Sequence, residues 1–140
     1  MYLVDTNIWL ELFLEQEKAN EVRNFFEGIN SAKLYITDFT IYSLGIILLR
    51  LQKADTLKLF LTKNIIESSI NKIVLDENEL LEMLNDKECK KLDFDDGYQY
   101  YAAKKSGTQI ISFDTDFDKT ELGRKTPVQI EINKSYDQDK

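Results

Sequence analysis

Residues 110–117, Ile110-Ile111-Ser112-Phe113-Asp114-Thr115-Asp116-Phe117, set the grammar of the whole chain. A short apolar run, Gln109 to Phe113, reads as a strand and stops on an acid, with a second acid two residues later. The chain opens in the same way, with Tyr2-Leu3-Val4 ending at Asp5. Two further runs fit the pattern, Lys33–Thr37 and Lys72–Leu75, and Val128–Ile132 after Pro127 predicts a fifth strand. Helical spacing fills the intervals. Val22, Phe25, Phe26 and Ile29 mark one helix over Glu17–Ile29, with Gly28 and Asn30 as stop signals. Phe39–Lys53 is apolar on nearly every side, as a buried helix is. Leu57, Phe60, Leu61, Asn64 and Ile65 trace another. Asp76 with Glu79 starts a helix carrying Leu80, Leu81, Met83 and Leu84 in capping-box fashion. Asp93–Lys105 is a strong helix that Gly107 ends.

Strands alternating with helices imply right-handed crossovers, hence a three-layer α/β/α fold with a mostly parallel central sheet. In such sheets ligands bind beyond the carboxyl ends of the strands, where Asp5 and Asp114 fall. The expected domain runs over residues 1–132, and the polar stretch 133–140 reads as a frayed tail.

Composition narrows the chemistry. The 140 residues are 43% hydrophobic and 31% charged, an ordinary globular balance. There is no histidine. That excludes Ser-His-Asp and Cys-His pairs, imidazole bases and histidine-ligated zinc, and leaves carboxylates, hydroxyls, lysines or a metal on oxygen ligands. Cys89 is the single cysteine, so no internal disulfide forms. No secretory signal precedes Tyr2, and Leu44–Leu51 is too short to span a bilayer, so a cytoplasmic, membrane-free setting is expected. The net charge of −7 disfavours diffuse binding to a polyanion. Lys53, Lys58, Lys63, Lys104 and Lys105 are the candidates for a local basic rim, although solvating helix faces explains most of them as well.

The acids are the more telling residues. Asp95 and Asp96 sit in the first turn of the helix that leads into the strand ending at Asp114. A parallel sheet can bring the ends of the first and fourth strands together, so acids from distant stretches meet at one rim. Two carboxylates about 4 Å apart repel by roughly 4 kcal/mol at an effective dielectric near 20. A proton or a hard divalent cation, Mg²⁺ or Mn²⁺, relieves that repulsion. Taken singly, each acid has a plain structural role: Asp5 and Asp116 as caps, Asp93 as an N-cap, Asp95 and Asp96 at the positive helix end. Their joint placement carries the chemical reading.

Three strings carry a family resemblance. Leu3-Val4-Asp5-Thr6-Asn7-Ile8-Trp9, then Leu92-Asp93-Phe94-Asp95-Asp96-Gly97 with Ala102-Ala103-Lys104, then residues 110–117 resemble, in order, the motifs of PIN domains, including VapC-type toxins of toxin–antitoxin pairs. The resemblance spans Tyr2 to about Ile132. It implies a PIN-like fold in which Asp5, Asp96 and Asp114 ligate Mg²⁺ or Mn²⁺ and Asp116 assists. Asp96 is favoured over Asp95 because it precedes the small Gly97. Thr6 and Asn7 would orient Asp5 or contact phosphate. The implied activity is an endoribonuclease in which a divalent ion activates water for in-line attack, leaving a 5′-phosphate and a 3′-hydroxyl. RNA, an antitoxin protein and a second copy of the chain are the implied partners. Trp9, Leu10, Phe13 and Leu14 serve either as an apolar contact for that dimer or as core. One position departs from the pattern: Ser43 stands where the family carries a glutamate, so either Asp38 compensates or the metal is held more weakly. The alternative is therefore a catalytically degenerate PIN domain acting as an RNA- or protein-binding module. A phosphotransfer role for Asp5 is disfavoured, because Asn7 stands where such families place a second aspartate.

Overall fold

The computed structural model describes residues 1–131. Ile132 and the tail expected over 133–140 lie outside the described residues. Strand β1 (Tyr2–Val4) leads into helix α1 (Thr6–Phe13), then α2 (Ala19–Gly28), β2 (Leu34–Thr37), α3 (Asp38–Arg50) and α4 (Ala54–Phe60). The chain continues through a wider π-helical stretch over Leu61–Ile66 into β3 (Asn71–Ile73), α5 (Glu77–Asn85), α6 (Phe94–Ser106) and β4 (Gln109–Ile111). The sheet order is β3-β2-β1-β4, and every neighbouring pair is parallel. The first strand thus lies inside the sheet, with Leu3 opposite Tyr35 on one side and Ile110 on the other.

The period-two geometry of the strands divides the core into two layers. Val4, Leu34, Ile36 and Ile111 face one way and pack with Ile8, Trp9, Phe25, Leu44, Leu48 and Phe60 of α1–α4. Leu3 and Ile110 face the other way and pack with Met83 of α5 and Tyr98, Tyr101 and Ala102 of α6. This is the expected three-layer arrangement. Trp9 is almost fully buried and stacks on Phe26 with ring centroids 4.5 Å apart. Leu10, Phe13 and Leu14 pack against the same cluster, so the core reading of that quartet holds. Each large side chain sunk in this way stabilises the fold by about 1.5–3 kcal/mol relative to exposure.

Local signals placed the element ends well. Asp76 and Glu79 form a reciprocal capping box at α5, and Gly107 closes α6 with φ of 66°, a left-handed conformation that costs glycine nothing. Among the described residues the expected fifth strand is not formed. Pro127–Gln129 is a single 3₁₀ turn, because Thr126 and Gln129 cap each other's backbone around a proline whose fixed φ suits a helical turn. Among the described residues, the edge of β4 away from β1 is met by a lone bridge between Ile111 and Lys125.

Candidate metal centre

At the carboxyl end of β1 the Asp5 amide donates to the Ile111 carbonyl (3.0 Å), so Asp5 sits on the ladder between β1 and β4. Its carboxylate is buried, 6% exposed, and is surrounded by donors. Oδ1 accepts from the Thr6 amide (2.8 Å) and Gln99 Nε2 (2.9 Å). Oδ2 accepts from Ser112 Oγ (2.7 Å) and Asn7 Nδ2 (3.2 Å). Asn7 also donates to Ser112 Oγ and accepts from the Phe113 amide through Oδ1 (3.1 Å), sewing the end of β1 to the chain beyond β4. Ser112 Oγ in turn accepts the Asp114 amide (2.9 Å). Asp114 then caps the 3₁₀ turn Thr115–Lys119 by accepting from the Asp116 amide (2.8 Å). That turn brings Asp116 back beside Asp114.

Helix α6 supplies the remaining acid. Asp93 occupies the N-cap position without a side-chain cap bond, and Asp96 lies in the first turn. Asp96, Asp114 and Asp116 each offer a carboxylate oxygen, all within 4.8 Å of one another. Asp95 is exposed; it borders the cleft and stands outside this cluster. The cleft holds about 260 Å³. Asp5, Thr6, Asn7, Ser43, Asp96 and Asp114 form its polar wall, and Leu10, Phe39 and Ile47 its apolar one.

The electrostatics match this crowding. Burial pushes the Asp5 carboxyl above its ordinary range; the bonds from Gln99, Ser112 and Thr6 oppose the shift and the charge of Asp114 adds to it. Asp96 is pushed up to about 8, first by burial and then by the charges of Asp114, Asp95 and Asp5. Such a group of acids holds a proton or a cation at neutral pH. The donor set fits Mg²⁺ or Mn²⁺: all hard oxygen, with half-buried Asp96 and Asp114 and exposed Asp116 open to an incoming ion. Oxygens within 4.8 Å of one another are near enough for Asp96, Asp114 and Asp116 to hold one such ion between them.

The other expected participants divide. Ser43 does border the cleft, where it brings a hydroxyl and no charge. Asp38 stands apart from the cleft: its Oδ1 accepts the Tyr98 hydroxyl (2.6 Å), and it is not among the residues forming the cleft. Lys104 and Lys105 lie in the last turn of α6, opposite the acids, and pair with Asp86 and Glu79. Lys63 pairs with Glu67. A larger open hollow of about 740 Å³, formed by residues such as Met1, Thr108 and Lys125 at the amino ends of β1 and β4, contains none of the four aspartates. Sequence reasoning gave Ser112, Thr37 and Thr40 no role and passed over Gln99. The available signal for Gln99 was a polar residue three positions after Asp96, on the same helical face.

No curated protein matches the chain by sequence. Solved structures do resemble it. A toxin–antitoxin complex from Klebsiella pneumoniae aligns with a TM-score of 0.71 at 20% identity, covering 93% of this chain and 100% of that one. FitAcB from Neisseria gonorrhoeae aligns with a TM-score of 0.72 at 19% identity, over 93% and 100% of the two chains. VapC20 from Mycobacterium tuberculosis, a sarcin–ricin loop cleaving toxin, aligns with a TM-score of 0.69 at 14% identity, over 89% and 99%. At these identities the likeness speaks to the fold. The family is fixed by sequence: residues 2–122 match the PIN domain, and the chain belongs to the PIN domain family.

Proposed function

We propose that this protein is a Mg²⁺- or Mn²⁺-dependent endoribonuclease and the toxin of a toxin–antitoxin pair. The convergence of Asp96, Asp114 and Asp116 at an open cleft bordered by Asp5, Asp96 and Asp114 is the observation that carries the reading. Family membership and the toxin neighbours support it. A divalent ion at this centre supplies a more acidic water and neutralises charge on a phosphodiester. The chain's own residues do the rest. Asp96, Asp114 and Asp116 gather the negative charge that attracts the ion, and Asp5 adds a fixed charge behind them. Thr6 and Asn7 border the cleft at the end of β1, where the Thr6 amide and the Asn7 side chain orient Asp5. Leu10, Phe39 and Ile47 exclude water from one side and offer an apolar wall to a base. Among the described residues no helix is long and apolar enough to cross a membrane.

Ser43 favours a second reading, a PIN domain that has lost catalysis and binds RNA or a protein partner. One experiment decides between them: RNA cleavage with Mg²⁺ or Mn²⁺, with chelator, and with Asp114→Asn. A nuclease loses at least about 100-fold in rate in the variant, and all activity in chelator. Cleavage that survives either change refutes the assignment, and no cleavage with any divalent ion selects the binding module. The antitoxin and a homodimer are proposed on the same footing; co-expression with the neighbouring gene product and light scattering test them.

A further inference from the structure

The four donors on Asp5 come from the protein itself, two on each oxygen. A carboxylate has about four lone-pair sites, so none remains for a cation unless a donor leaves. Three of the donors are the local ones expected where a strand ends beside another. The fourth, Gln99, is different. It reaches Asp5 from α6, the helix that also carries Asp96, and it is 2% exposed. The chemistry of its neighbours fixes its amide orientation, because the reverse would set its carbonyl oxygen against the Asp5 carboxylate. With Nε2 toward Asp5, the same nitrogen donates to Thr40 Oγ1 (2.8 Å), and Oε1 accepts from Thr37 Oγ1 (2.6 Å). Thr40 Oγ1 is further bonded to Thr6 Oγ1 (2.9 Å). Gln99 thus ties the ends of β1 and β2 and the first turn of α3 to α6. Releasing Asp5 means breaking up this buried network and leaving polar groups without partners. The oxygens of Asp96, Asp114 and Asp116 approach one another, and Asp5 contributes none to that group.

Resting on the metal-centre reading above, we propose that Gln99 is a positioning residue that holds Asp5 out of direct coordination, so that the divalent ion sits on Asp96, Asp114 and Asp116 and feels Asp5 only through space. The aspartate at the end of β1 is then a fixed anion behind the ion.

The test is a crystal of the full chain soaked in Mn²⁺, read by anomalous scattering, with Mn²⁺ titrations followed by electron paramagnetic resonance. The expected crystal has manganese on Asp96, Asp114 and Asp116 and the Gln99–Asp5 bond intact. Manganese within about 2.5 Å of an Asp5 oxygen overturns the inference and leaves the metal-centre reading standing. No manganese in the wild-type protein overturns both. In solution, Asp116→Asn is expected to weaken Mn²⁺ binding at least about tenfold. Gln99→Leu frees a lone pair on Asp5 and is expected to tighten Mn²⁺ binding at least about threefold while lowering the melting temperature. A merely structural glutamine would lower the melting temperature and leave the dissociation constant alone, and that outcome counts against the proposal. If Gln99→Leu fails to fold, the wild-type crystal still decides.

Discussion

Tyr98 does at the level of one side chain what the sheet does for the whole molecule: it joins elements remote in sequence. Its hydroxyl donates to Asp38 Oδ1 (2.6 Å) and accepts from the buried Leu75 amide (2.9 Å). Burial and the Asp38 bond push its pKa to about 12, so it keeps its proton throughout the physiological range. Tyr98→Phe leaves the Leu75 amide without a partner and should cost about 1–3 kcal/mol, read as a lower urea midpoint with an unchanged slope. An unchanged midpoint would show that water replaces the hydroxyl. Neither this brace nor Gln99 was legible in the sequence. Asp5 and Asp114 were, because an acid that ends an apolar run at a predictable sheet edge has few other places to point. Gln99 and Tyr98 lie inside a helix, and nothing in the linear order says whether a buried polar group there meets a partner from another strand.

At the scale of elements, the strongest signals were those with a local cause. The capping box of α5 and the glycine stop of α6 are complete within a few residues, so they appear in the structure as they read in the chain. Gly107 has open space where a Cβ would stand, so its conformation alone resists substitution. Gly107→Ala should therefore destabilise by about 1 kcal/mol, or roughly 3–6 °C in melting temperature. A loss near zero would mean the α6 terminus relaxes. Val128–Ile132 failed for a related reason. Its β-branched residues favour a strand, but Pro127 and the Thr126–Gln129 cap offer the backbone a turn that is satisfied locally. The exposed face of α3, with Tyr42, Ile46 and Leu49, is the converse case: apolar residues on nearly every side announced a buried helix, yet one side meets solvent.

Across the whole molecule, the charge of the metal centre should be visible in stability against pH. The carboxyls of Asp5 and Asp96 are both raised in the folded chain. Below the ordinary carboxyl range the folded and unfolded states are both protonated. From there up to about 8 the folded chain keeps a proton on Asp96 that the unfolded chain releases, so raising the pH favours unfolding. The melting temperature of metal-free protein should fall between pH 5 and 8, and about 10 mM Mg²⁺ should flatten that slope by taking the proton's place. A flat profile without metal would mean that the acids separate in solution.

The interior position of β1 has one more consequence. Leu3 is paired with Ile110, so the earliest-made strand waits for one of the latest. During synthesis the nascent chain can build α1, α2 and the β1–β2 pair, but Ser112, which bonds Asp5, and Asp114, which borders the cleft, do not exist until the ribosome has passed that point. Contacts of such long sequence separation slow folding. A truncated product lacking β4 and the chain beyond it therefore carries Asp5 without Ser112 and the Ile111 carbonyl, and without Asp114 and Asp116 it cannot assemble the acid cluster at all.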